Sequence, residues 1–161
     1  MASEILKNPH TSLEQFAELT KWCFDSNHHF ALDACRALVN IYNEYVFQDK
    51  KKLRIFYDSV QEIISQGKKK VTASITDLVG FYLEHQIKQY YGELIRSIQE
   101  LLTSSITFVK KTAIKLLAVL TRHNELRRMI INILINKFGD TDMDIVNETF
   151  KCLKAEFYQD L

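Results

Sequence analysis

The sequence has very little proline and glycine, with one Pro and four Gly among 161 residues. Sheets and sandwiches need many tight turns, and most tight turns use those two residues. Long helices joined by short polar loops need few of them. Apolar residues make up 47% of the chain and charged residues 25%, as in ordinary globular domains. The composition therefore favours an all-α fold, with residues 1–161 in a single domain.

Cysteine is also scarce and irregularly placed. Cys23, Cys35 and Cys152 are odd in number and show no regular spacing, which argues against a disulfide framework and is typical of a reducing compartment. No apolar run is long enough to span a bilayer, and even Met129 to Ile135 is interrupted by Asn132. The sequence therefore predicts no membrane partner.

Apolar residues recur at intervals of three and four along most of the chain, which predicts amphipathic helices. Residues 11–47 predict a first helix pair, whose second helix runs from His28 to Phe47. Residues 77–161 predict later repeats, with helices at Asp77 to Leu102, Thr107 to Thr121, Asn124 to Phe138 and Asp144 to Phe157. The third of these is apolar on nearly every face, so we expect it to be the most buried helix.

Residues 48–76 differ in character from the flanking helices. They contain two lysine clusters, Lys50 to Lys52 and Lys68 to Lys70, with room for one short helix from Leu53 to Ile64. We interpret this stretch as a basic connector between the helix pairs.

An internal repeat joins three of the predicted helices. The stretch from Phe108 to Ala113 is similar to the one from Ile145 to Phe150, 37 residues later, and Phe30-Ala31 fits the same frame 78 residues earlier. Each copy follows a short polar turn, which makes paired helices antiparallel. A period near 40 residues is typical of such repeats. The pattern predicts a HEAT/armadillo-like helical-repeat solenoid of antiparallel helix pairs.

Three sequence patterns resemble metal-binding or phosphate-binding sites, but we interpret them as structural features. Asp140, Asp142 and Asp144 begin like a calcium loop, but its sixth and twelfth positions hold Ile145 and Lys151, so we expect aspartates that cap a helix.

Cys23, His28, His29 and Cys35 lie close in sequence but contain no C-x-x-C pair, and Cys35 falls on an apolar stripe, so we expect no metal. The glycine before Lys68 lacks the partners of a phosphate loop. With no catalytic constellation, the sequence predicts neither an enzyme nor a cofactor nor a small-molecule substrate.

Charge is segregated along the chain. Residues 50–137 contain 16 Lys and Arg against seven Asp and Glu, a net charge of +9, whereas the two flanks have a net charge of −8. Lysine clusters are usually solvated loop charge, but a face turned toward a polyanion also segregates charge. The residues predicted to contact nucleic-acid phosphates are Lys50, Lys51, Lys52, Arg54, Lys68, Lys69, Lys70, Lys110, Lys111, Lys115, Arg127 and Arg128.

The last predicted helix is a candidate docking element for another chain. Phe150, Leu153 and Phe157 recur on it at helical spacing, with no polar capping repeat after them. We therefore predict that these three residues bind a partner.

Four stretches resemble the N-terminal helical-repeat region of the CCAAT-binding factor family, the nucleolar complex-associated proteins related to CCAAT/enhancer-binding protein zeta. Residues 31–38 are similar to its A-L-x-x-L-x-A-L helix, and residues 49–56 to its D-R-K-L-R-x-F segment. Residues 81–88 are similar to its W-Y-Y-E-D-x-L-K-K helix. Most specific is the stretch from Ile135 to Asp140, which resembles the family's V-N-K-L-G-D.

The resemblance implies a nucleolar assembly factor for the large ribosomal subunit, without enzymatic activity. Members of the family act as a heterodimer with a second nucleolar complex protein on pre-ribosomal particles that contain precursor rRNA. A HEAT-type protein–protein adaptor without an RNA role is the alternative. The basic middle of the sequence distinguishes the two, because an adaptor does not need it.

Overall fold

The computed structural model describes residues 9–47, 52–66 and 75–158. These residues form seven α-helices and no strand, so the predicted all-α fold is confirmed. The helices are α1 (Pro9–Trp22), α2 (His28–Ile41), α3 (Phe56–Gln66), α4 (Ile75–Leu101), α5 (Thr107–Leu120), α6 (Arg127–Asn136) and α7 (Met143–Tyr158).

Two short helices of other types extend this set. A π-helix, Tyr42–Val46, continues α2, and a 3-10 helix, Lys137–Gly139, continues α6. The stretch interpreted as a basic connector contains α3, preceded by residues 52–55, which form neither helix nor strand. We call these four residues the 52–55 segment. Residues 48–51 and 67–74 of that connector lie outside the described residues.

Side-chain caps fix where two helices begin. The Asn27 side chain accepts hydrogen bonds from the N–H groups of His29 and Phe30 at the start of α2. Before α7, Asp142 Oδ1 accepts from the Asp144 N–H at 2.9 Å. Such bonds satisfy donors that the first helical turn leaves without a partner. The prediction that aspartates cap the last helix is therefore confirmed.

Helices α2 and α5 run parallel, side by side. At one end His28 Nδ1 lies 2.9 Å from Ser104 Oγ, in the turn before α5. At the other end His123 Nε2, in the turn after α5, lies 2.6 Å from Asn43 Oδ1. From the first contact to the second, the residue numbers increase in both helices. The two helices therefore point in the same direction.

Helix α7 lies on the other side of α5 and is also parallel to it. Thr107 donates to Asp142 at 3.0 Å, and Arg122, just after α5, bonds Glu156 near the end of α7. Helices α2, α5 and α7 therefore form one layer, with α5 in the middle.

The helices that come directly before α2, α5 and α7 in the chain, namely α1, α4 and α6, are antiparallel to this layer. Rings of Phe16 in α1 and Tyr42 lie 5.7 Å apart, and those of Trp22 and Phe30 lie 5.9 Å apart. Helix α4 also packs on α1 and on α2, and α3 packs on α4. Helix α6 packs mainly on α5.

An aromatic cluster lies at the centre of the core, beside the π-helix. Tyr42, Phe47 and Tyr91 are buried, with ring centroids 4.9 to 5.6 Å apart. The Tyr42 hydroxyl donates to the Ile87 carbonyl at 2.8 Å, so its polar end is satisfied. The cluster joins α2 to the middle of α4.

The expectation that the helix between Asn124 and Phe138 is the most buried is wrong. In α6 only Ile130, Ile133 and Leu134 are buried, whereas Met129 and Ile135 are exposed. The reason is that α6 packs mainly against one neighbour, so its other apolar faces remain open. Helix α5, which has neighbours on several sides, buries seven of its residues.

Candidate nucleic-acid interface

A series of ion pairs joins α5 to α7, including the turns next to them. The pairs share a nearly constant sequence separation because the helices are parallel. They are Lys110–Asp140 at 3.5 Å, Lys111–Asp144 at 2.6 Å, Lys115–Glu148 at 3.4 Å and Arg122–Glu156 at 2.7 Å. We call these four pairs the α5–α7 ion-pair series.

This series accounts for part of the charge segregation in the sequence. Cations of the basic middle face carboxylates of the acidic C-terminal flank, and the fold brings the two together. Three predicted phosphate-binding residues, Lys110, Lys111 and Lys115, are in this series. Their charge is offset within the fold, so sequence segregation alone gives no reason to assign them to RNA.

The motif that most resembles the nucleolar family lies at a junction of turns. Lys137 donates to the Leu102 carbonyl at 3.1 Å, which ties the end of α6 to the α4–α5 turn. Asp140 Oδ1 accepts from the Asp142 N–H at 3.1 Å. That bond, together with the nearby ammonium groups of Lys110 and Lys137, lowers the pKa of Asp140. The motif therefore stabilises the contact between these turns.

Two side chains hold the 52–55 segment before α3. Lys88 Nζ donates to the Leu53 carbonyl at 2.8 Å, and Glu125 Oε2 accepts from the Leu53 N–H at 2.9 Å. Lys88 and Glu125 also pair with each other at 3.2 Å, and the Glu125 side chain is only 4% exposed. Both backbone groups of Leu53 are thus satisfied by α4 and by the turn before α6.

Arg54, a predicted phosphate contact, is held on the surface of α4. Its N–H donates to Glu84 at 2.8 Å, and its guanidinium lies 5.5 Å from the centre of the Phe81 ring. A cation over an aromatic face is stabilised by the ring's electrons. The guanidinium therefore lies at the protein surface, over the Phe81 ring.

The turn before α6 has an unusual backbone. Leu126 has φ of 50°, in the left-handed region that favours glycine. Its neighbour Glu125 is fixed by Lys88 and Leu53, and the Tyr91 hydroxyl lies 3.5 Å from the Glu125 carbonyl. These bonds hold the turn although leucine in this conformation costs roughly 1–2 kcal/mol.

A groove separates α4 from α6. It has a volume of about 640 Å³. Its lining includes three of the predicted phosphate-binding residues, Lys52, Arg127 and Arg128, and further polar residues that the sequence analysis did not identify: Lys88, Gln99, Asn124, Glu125, Asn132 and Asn136. No motif signals these further residues, because they come together only when α4, α6 and the 52–55 segment meet. We call this feature the α4–α6 groove.

Five of the predicted phosphate-binding lysines lie outside the described residues: Lys50, Lys51, Lys68, Lys69 and Lys70.

The predicted partner-binding residues divide into three cases. Phe150 is 60% exposed, on the side of α7 away from the core. Leu153 is only 7% exposed and belongs to the core, so its assignment to a docking surface is wrong. The exposed Phe150 and the buried Leu153 are only three residues apart on one helix. The sequence pattern alone did not show which of the two faces the core. The side chain of Phe157 lies outside the described residues.

The two cysteines of the pattern for which we expected no metal belong to the core of the protein. Cys23 and Cys35 are buried, and Cys35 Sγ lies 3.4 Å from Ser97 Oγ. A hydrogen bond with Cys35 and burial raise the pKa of the Cys23 thiol, which keeps it protonated near neutral pH. Within the described residues, no cluster of potential metal ligands occurs and no helix has the length and apolar character of a membrane span.

Comparison with known protein families and with curated proteins finds no match to the chain.

Proposed function

We propose that this protein is a non-catalytic helical-repeat scaffold, of the HEAT/armadillo type, that acts in assembly of the large ribosomal subunit. In this role it binds precursor rRNA and a second nucleolar complex protein, in the nucleolus of the nucleus. The observation that carries the repeat assignment is the layer of parallel helices α2, α5 and α7. In a solenoid each repeat contacts only its neighbours, and here α5 lies between the other two.

The assignment to ribosome assembly is supported by the four stretches that resemble the nucleolar family. Two of these stretches form contacts between elements of the fold. The stretch around Lys137 and Asp140 braces the turns between helices, and the stretch around Leu53 is fastened to α4. We expect proteins that share this architecture to share the residues that stabilise its internal contacts.

The RNA role is supported by cations outside the α5–α7 ion-pair series. Lys52, Arg127 and Arg128 line the α4–α6 groove, and Arg54 lies in the same 52–55 segment as Lys52. The lysine clusters at residues 50–51 and 68–70 belong to this proposal as a prediction from sequence.

Affinity purification of the tagged chain from cells tests the proposal. We expect recovery of large-subunit precursor RNA together with ribosome assembly factors, including one stoichiometric partner protein. Recovery of a defined protein complex that contains neither would refute the ribosomal role and leave the architecture untouched.

The second candidate is a protein–protein adaptor without an RNA role. The α5–α7 ion-pair series favours it, because these pairs explain part of the basic middle without any polyanion. The same purification separates the candidates, since an adaptor would retain its partners after ribonuclease treatment and at no step recover precursor rRNA.

A further inference from the structure

We infer that the protein pairs with a second copy of itself through exposed apolar side chains at one end of the helical layer. Four residues form this surface, which we call the apolar strip: Trp22, Phe30, Phe108 and Met143. Each of them is between 38% and 66% exposed. The inference concerns the oligomeric state and does not depend on the proposed function.

The fold brings these four residues to the same end of the layer. Phe30, Phe108 and Met143 lie in the first turns of α2, α5 and α7, and Trp22 is the last residue of α1. Because α2, α5 and α7 are parallel, their first turns lie side by side. Because α1 is antiparallel to α2, its last residue lies beside the first turn of α2.

Contacts between neighbouring side chains make the strip continuous. The rings of Trp22 and Phe30 lie 5.9 Å apart. The ring of His29, next to Phe30 in the chain, stacks on the Phe108 ring at 6.3 Å. Toward α7, a hydrogen bond of 3.0 Å joins the two residues that directly precede Phe108 and Met143. The strip therefore crosses all three parallel helices.

The size of the strip suits a dimer interface. A large aromatic side chain presents about 150–250 Å², so the strip exposes roughly 400 Å² in each copy. Each partner in a standard interface buries about 800 Å², and apolar atoms make up about two-thirds of the area between identical chains. The strip thus supplies most of the apolar area that pairing with a second copy requires.

Charged residues near the strip do not select a strongly charged partner. Asp33 pairs with Arg36 at 2.7 Å, and Lys111 pairs with Asp144 at 2.6 Å. The whole chain has a net charge of only +1 at pH 7, so two copies repel each other little. A second copy of the same surface is therefore compatible in charge with the first.

The internal repeat makes the strip complementary to itself. Phe30 and Phe108 occupy equivalent positions of the repeat, 78 residues apart, on adjacent parallel helices. A twofold axis between α2 and α5 places Phe30 of one copy against Phe108 of the second, and the same contact then forms twice. The two ends of the strip meet in the same way, Trp22 against Met143, and contacts of sulfur with aromatic rings are favourable.

Sedimentation velocity of the chain between about 1 and about 300 µM, a range that covers micromolar dissociation constants, tests the pairing. The strip variants are Phe108→Ser and Phe30→Ser. The matched control is Phe150→Ser, because Phe108 is 59% exposed and Phe150 is 60% exposed, and Phe150 lies two helical turns beyond Met143. Melting temperatures establish that each variant folds.

We expect the wild type to dimerise with a dissociation constant in the micromolar range. Phe108→Ser and Phe30→Ser should each raise that constant about a hundredfold. The reason is that truncating a well-packed interface side chain weakens binding about tenfold, and a twofold interface contains each side chain twice. Phe150→Ser should dimerise as the wild type does.

Two outcomes overturn the inference. If the wild type is monomeric over the whole range, the strip does not bind a second copy. If the wild type dimerises but Phe150→Ser weakens the dimer as much as Phe108→Ser does, the interface lies elsewhere. Neither outcome affects the proposed function, because recovery of precursor rRNA and assembly factors tests that role separately.

Discussion

Lys88 and Glu125 form an ion pair of 3.2 Å and, between them, bond both backbone polar groups of Leu53 in the 52–55 segment. The pair joins three parts of the chain that are distant in sequence: the segment before α3, the middle of α4 and the turn before α6. It also forms one wall of the α4–α6 groove.

Removing the Glu125 carboxylate should destabilise the protein strongly. Glu125→Ala leaves the Leu53 N–H without its acceptor and the Lys88 ammonium without its carboxylate, although Lys88 keeps its bond to the Leu53 carbonyl. Breaking such a largely buried pair costs about 3 kcal/mol. Urea unfolding followed by circular dichroism measures the loss. Glu93→Ala is the control, because it removes an exposed pair with Arg96 and should cost under about 0.5 kcal/mol. Equal losses in the two variants would contradict the role given to Glu125.

Stability should fall in acid partly through Asp140. The pKa of this carboxyl lies below its ordinary value of 3.8, mainly because it accepts from the Asp142 N–H. A lowered folded-state pKa means that the stabilisation is present above the unfolded-state value and is lost as pH falls through the folded-state value. Below about pH 4 the wild type should therefore lose stability faster than Asp140→Asn. Urea midpoints between pH 6 and 3 test this, and parallel curves would show that Asp140 does not contribute.

Two neighbouring residues of α6 should respond differently to the same substitution. Leu134 is fully buried, whereas Ile135 is 49% exposed. Leu134→Asp places an unpaired charge in the core and should unfold the domain, at a cost of about 4 kcal/mol or more. Ile135→Asp should cost about 1 kcal/mol or less. Thermal melts of both variants test the assignment of faces, and reversed sensitivities would mean that α6 is rotated about its axis.

The sequence predicted where the helices lie because helical periodicity and polar turns are local properties. His28 to Phe47, for example, forms a nearly continuous helix, with a π-helix in its second half that periodicity could not reveal. The sequence did not predict which Lys and Arg side chains form ion pairs with carboxylates. Lys111 and Asp144 are 33 residues apart in sequence, and they pair because α5 and α7 are parallel neighbours. For the same reason the exposed faces of α6 were missed.

The ion pair between Arg122 and Glu156 should make a small but measurable contribution. Two bonds of 2.7 and 2.8 Å join the guanidinium to the carboxylate. Arg122 is nearly half exposed, so solvent screening limits the coupling energy to about 0.5–1 kcal/mol. A double-mutant cycle with Arg122→Ala and Glu156→Ala measures it by urea unfolding. The coupling should shrink in 1 M salt, and a value that salt leaves unchanged would mean that the two side chains interact through packing.

The exposed side of α7 should bind the partner protein through Phe150. This helix lies at the edge of its layer, with α5 on one side, and Met143 and Phe150 are both exposed and separated by two helical turns. Aromatic residues in such positions often contribute most of the affinity of an interface.

Phe150→Ser should therefore abolish recovery of the partner in affinity purification while leaving the melting temperature within about 2 °C of the wild type, since an exposed substitution rarely changes stability much. Leu153→Asp is the informative contrast. Because Leu153 is buried, that variant should lose the partner only by unfolding, which the melt reveals. If Phe150→Ser recovers the partner as well as the wild type does, the docking surface lies elsewhere on the protein, and α7 serves only to complete the fold.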